Sequence, residues 1–105
     1  MFIDFCQRIR TLTIQSDEFI DNNEIELCLA LLVERQYLLE QLKNLVSGDR
    51  INNEQLSAFT SLLVWIQQQD IISNLKVVQL KEQSKQASTT QVKIKKALNY
   101  YKNVT

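Results

Sequence analysis

Apolar and polar residues follow one another along this chain with a helical beat. Phe2, Phe5, Cys6, Ile9, Leu12 and Thr13 form one stripe, which predicts a first helix over about residues 2–18. Leu27, Leu31, Leu38, Leu42 and Leu45 predict a second over about 22–47. Its first half opens with seven consecutive apolar residues, Leu27 to Val33, and so needs cover on more than one side. Leu56, Phe59, Leu62, Leu63, Ile66, Ile71, Ile72, Leu75, Val77, Val78 and Leu80 predict a long third helix over about 53–86. The stripe fails from Lys81 to Gln91, where Ala87 is the only apolar residue, and resumes at Val92. Either the third helix continues to about residue 103, or a short C-terminal helix follows over about 90–103. Its face, Ile94, Ala97, Leu98 and Tyr101, then either folds back on the other helices or docks elsewhere.

The boundaries carry their own signals. Asp21 is placed to cap the second helix, Glu24 to close a capping box, and Ile20 to staple onto Ile25. Ile51, Asn52, Asn53, Glu54, Gln55 and Leu56 repeat the device before the third helix. Gly48 stands where a left-handed C-terminal cap would fall. Short turns between long helices imply antiparallel neighbours. The expected fold is therefore all-α. It is a small antiparallel three-helix bundle with a long third helix, or a four-helix bundle if the tail forms its own element. One domain spans residues 1–105. Asp70 lies close to the third helix's apolar stripe and needs a partner or water, and Arg35 is the partner the second helix offers.

Composition agrees with helices: the chain has one glycine and no proline. It has no histidine, and its two cysteines, Cys6 and Cys28, sit in apolar runs without metal-ligand spacing. They read as free thiols in a reducing cytosol. There is no glycine-rich phosphate loop, no carboxylate cluster with metal spacing and no nucleophile beside a base. No enzyme activity, cofactor or metal is expected. No run reaches the roughly 20 apolar residues of a membrane span. The start, MFIDFCQRIR, lacks the positive segment of a signal peptide. A soluble cytoplasmic protein is expected.

Net charge is zero but unevenly spread. Residues 1–47 hold four basic and eight acidic side chains, and residues 48–105 hold eight basic and four acidic. The late lysines, Lys93, Lys95 and Lys96 among them, read as a solvated face complementing the acidic half, or as a docking tail for an acidic protein. Nucleic acid is not an expected partner, since arginine is absent there and no reading motif accompanies the lysines.

The helices carry more apolar surface than three thin helices bury easily. A partner-binding groove would draw on Phe2, Phe5, Ile9, Leu31, Leu38, Trp65 and Ile66, each of which also reads as ordinary core. The alternatives are a self-associating helical protein, whose surplus is consumed in a homodimer, and a regulator that docks through its lysine-rich tail.

Three segments carry a family likeness. Leu31 to Leu42, LLVERQYLLEQL, resembles the second-helix pattern of the FliT family of flagellar type III export chaperones. Leu62 to Asp70, LLVWIQQQD, is similar to that family's apolar run ending in Asp, and Lys96 to Tyr101, KALNYY, to its terminal motif. The matching residues include Glu34, Arg35, Leu38, Leu39, Asp70, Ala97, Leu98 and Tyr101. The resemblance implies an all-helical chaperone of the filament-cap protein. It would hold the C-terminal helical segment of that protein, prevent premature assembly and deliver it to the export ATPase. In some members the last helix limits access to the binding surface, and some bind the flagellar transcription regulator. The polar segment before the last apolar stretch is compact here, which departs from the family pattern.

Overall fold

The computed structural model describes residues 2–48, 52–83 and 88–102. Four α-helices are found there: α1 (Phe2–Asp21), α2 (Ile25–Val46), α3 (Asn53–Gln83) and α4 (Ser88–Lys102). There is no strand among the described residues. At about 1.5 Å per residue α3 is about 46 Å long, which nearly accounts for the 50 Å length of a molecule only 20 × 19 Å across.

Side-chain pairs fix how the helices run. Arg8 pairs with Glu34, and the α1 end Ile20 shares a cluster with the α2 start Ile25, so α1 and α2 are antiparallel. Arg10 lies over Trp65, and Asp17 meets Ser73 and Lys76, so α1 and α3 are parallel. The sequence left two places for the tail; it forms its own helix and folds back. α4 packs against the first half of α2 and the second half of α3, with Lys93 paired to Glu26.

Two boundary expectations are corrected. Asp21 does not cap α2. It ends α1, and its carboxylate pairs with Lys76 at 2.8 Å. The turn is tight, with Asn23 in the left-handed region at φ 59, and Glu24 N-caps α2 without a side-chain hydrogen bond. Asparagine tolerates that backbone better than most residues. Gly48 is not a left-handed cap either, for its φ is not positive. The end of α2 is tied instead by the Ser47 hydroxyl, which donates to the Lys43 carbonyl at 2.9 Å. The Asn52 cap forms as expected: its Oδ1 accepts from the Gln55 N–H at 2.8 Å.

The core is two apolar clusters. One holds Ile20, Ile25, Cys28, Leu32, Val77, Ile94, Ala97 and Tyr101, from all four helices. The other holds Ile9, Leu39, Leu42, Leu62 and Ile66, from α1, α2 and α3 only. Between them lies a polar layer. Arg35 donates from both terminal nitrogens to Asp70, each at 2.9 Å, with both side chains nearly sealed from solvent. Arg35 also donates to the Thr13 hydroxyl at 3.4 Å, which in turn donates to the Ile9 carbonyl. Buried Ser16 and Ser73 complete the layer. Asp70 thus takes the partner that its place on the stripe calls for.

Candidate partner-binding site

The molecule is closed at one end and partly open at the other. α4 has 15 residues and α3 has 31, so α4 accompanies only the second half of α3. Beyond α4 the fourth position of the bundle holds no helix among the described residues. Helical rows identify what faces that gap. On α2 the row covered by α4 includes Cys28, Leu29 and Leu32. Steps of seven or eleven residues return to nearly the same side of a helix. They carry this row on to Gln36, Leu39, Glu40 and Lys43. On α3 the cluster shared with α4 includes Val77, and two such steps back from it reach Leu63 and Phe59. The gap therefore has an apolar floor of Leu39, Phe59 and Leu63, with Leu56 exposed at its edge. Its rim is polar. A short amphipathic helix has the shape and chemistry to fill it.

The residues singled out from sequence distribute as follows. Ile9 and Ile66 have no exposed surface and are core, which corrects their assignment to a groove. Phe2, Phe5, Leu38 and Trp65 are half-buried around the cluster of the three-helix end, so they ring the expected location without lining one cleft. Leu31 is half-buried further up α2. The flat Arg10 guanidinium covers the Trp65 ring at 4.9 Å from its centroid. Leu63 and Phe59 were missed because nothing in the apolar pattern says where α4 stops.

The residues of the likeness occupy structural posts. Arg35 and Asp70 form the buried pair, Leu39 is core at the three-helix end, Ala97 is core at the four-helix end, and Leu98 packs half-buried against the cluster of Ala97. Glu34 is exposed and pairs with Arg8 at 3.0 Å. Tyr101 reaches the Cys28 thiol at 3.4 Å and so ties α4 to α2. Residues of the three segments thus fall in both clusters and in the polar layer between them.

Burial sets the electrostatics there. It pushes the Asp70 carboxyl above its ordinary value, and the Arg35 fork pulls part of the way back. It raises the Cys28 thiol, with the Tyr101 hydrogen bond opposing, and it raises the Tyr101 hydroxyl strongly. Lys76 is raised by its hydrogen bonds to Asp17 and Asp21. Cys28 and Tyr101 both stay neutral near pH 7 and add no charge to the interior.

In the lysine-rich tail, Lys93 is committed to Glu26, while Lys95 and Lys96 are exposed. Lys96 borders an open pocket of about 450 Å³ with Leu29, Val33, Asn99 and Tyr100. Among the described residues no group of His, Cys, Asp and Glu is placed to hold a metal ion. No helix among them is long and apolar enough to cross a membrane.

Compared with known proteins, the chain matches no family model, no curated protein and no solved structure.

Proposed function

We propose that this chain is a helical binding module that shelters an apolar helical segment of another protein. The carrying observation is the fourth bundle position left open beside the first half of α3, with Leu39, Phe59 and Leu63 as its floor. A guest helix there completes four-helix packing along the whole molecule and covers side chains that three helices leave half-wet. The resemblance of the three segments supplies the guest. It is the C-terminal helical segment of the flagellar filament-cap protein, held in the cytoplasm until export. Lys95 and Lys96, exposed on α4, then suit a contact with an acidic surface of the export ATPase complex or of a transcription regulator.

The test is co-purification of the intact chain with that C-terminal segment, read beside a Leu63→Glu variant. The expected result is a complex with the unsubstituted chain, and loss of at least about tenfold in affinity with Leu63→Glu at unchanged helicity. A folded chain that leaves the segment unbound overturns the guest. A Leu63→Glu variant that binds as well as the original overturns the site.

A further inference from the structure

The apolar run Leu27–Val33 calls for cover on more than one side and receives it only in part. α1 and α4 pack against α2 from two sides, and Cys28 and Leu32 are buried. Leu29 is only half-buried, and Val33 is 48% exposed. These two lie four residues apart, one above the other on α2, about 6 Å along its axis. Lys96 and Tyr100 of α4 have the same spacing and, with Asn99, complete the wall of the open pocket of about 450 Å³. Charge is mismatched across this seam. One turn earlier α4 meets α2 through an ion pair, Lys93 with Glu26. Lys96 shares its pocket with two branched apolar side chains instead, and no carboxylate among the described residues pairs with it.

We infer that this pocket receives an acidic peptide segment of a partner protein. An apolar side chain of the segment enters between Leu29, Val33 and the Tyr100 ring, and a neighbouring Asp or Glu is held by Lys96 and Asn99. The donor inventory selects the charge. The Lys96 ammonium has three N–H donors and no acceptor, the Asn99 amide has two more donors, and a carboxylate is the acceptor-only group that suits both. A basic segment would meet the Lys96 charge and find no counter-charge. The shape selects a peptide over a small molecule. A small ligand's site encloses most of the ligand, whereas this one is a gap between two surface helices. A peptide is anchored by the rest of its length as well. Lys95, next in the chain, does not line the pocket, so the site separates two lysines that net charge treats alike. The inference deepens the acidic contact proposed above for α4 and rests on that reading. It does not depend on the guest in the gap beyond α4.

Blocked tetrapeptides titrated into the isotope-labelled full chain test it, with amide chemical shifts as the readout. Glu-Leu-Leu-Glu should shift the amides around Leu29, Val33, Lys96 and Tyr100 and saturate. Gln-Leu-Leu-Gln lacks the charge and Glu-Ser-Ser-Glu lacks the apolar side chains, and each should bind about tenfold more weakly. Lys96→Gln and Val33→Ser should each weaken Glu-Leu-Leu-Glu by about tenfold, and Lys95→Gln should leave it unchanged. Helicity should stay the same in all three variants, because the three side chains are exposed. No shifts at about 10 mM peptide, shifts centred elsewhere, or equal binding of the three peptides overturns the pocket. Equal losses from Lys95→Gln and Lys96→Gln overturn it too, but leave the acidic contact of α4 standing. No loss from either lysine variant overturns both.

Discussion

The two ends of the molecule hold comparable numbers of apolar side chains and treat them differently. Among the described residues, eight are buried and four half-buried at the four-helix end, while five are buried and seven half-buried at the three-helix end. The aromatic residues Phe2, Phe5, Phe59 and Trp65 all belong to the second group. What differs is therefore cover and not composition. A fourth helix converts half-wet side chains into core. Each fully buried Leu, Ile or Phe is worth about 1.5–3 kcal/mol relative to exposure, so the open end is the weaker of the two and the one with affinity to spare.

The polar layer divides the ends, and breaking it should have the largest effect. Arg35→Ala leaves the Asp70 carboxylate buried and unpaired, and urea unfolding should show a loss of about 3–5 kcal/mol. Replacing both members, as in Arg35→Met with Asp70→Leu, should restore most of it, since Arg35 Nε is buried without a partner and the pair is incompletely satisfied. Next come matched truncations at the two ends. Leu32→Ala and Leu42→Ala each remove a buried leucine and should cost about 2–5 kcal/mol. Leu32 should cost the more, because four helices hold its surroundings in place. Equal costs, measured in the same denaturant series, would remove the distinction between the ends.

A pH series tests the closed end. Cys28 and Tyr101 have ordinary values of 9.0 and 10.0, and both are raised in the folded chain. The unfolded chain therefore ionises first. Stability should be complete below about pH 9 and should fall as pH rises above it. Lys76, raised from 10.5, acts with the same sign at still higher pH. In urea titrations from pH 7 to 10, Cys28→Ala with Tyr101→Phe should flatten the decline. The smallest contrast concerns the caps. Asn52→Ala should cost about 1 kcal/mol, and Asp21→Ala under about 0.5 kcal/mol, because Asp21 caps nothing and its pair with Lys76 lies at the surface. Thermal unfolding of the two variants side by side decides it.

Much of this architecture is readable from the residues. Stripe spacing placed α1, α2 and α3, the Asn52 signal gave the start of α3, and the exposed-or-paired rule for Asp70 led to Arg35. The misreadings share a cause. Asp21 and Gly48 have the right identities for caps, but turn geometry and a partner far along the chain decide whether a cap forms. Asp21 finds Lys76 on α3, and Ser47 serves where Gly48 was expected. The site was half legible. Periodicity names the apolar face of a helix, so Phe2, Phe5, Leu38 and Trp65 fall near the open end. It does not rank the residues of that face by depth, so Ile9 and Ile66 read both as groove and as core and are core; nor does it say how far a lid extends, which is what leaves Leu63 and Phe59 half-buried.

One uninterrupted helix, α3, supplies Leu62 and Ile66 to one cluster and Val77 to the other. Neither half can come apart alone without stripping its neighbour of a wall. Despite the unequal ends, then, heating should give one cooperative melt, with the calorimetric and van't Hoff enthalpies in agreement.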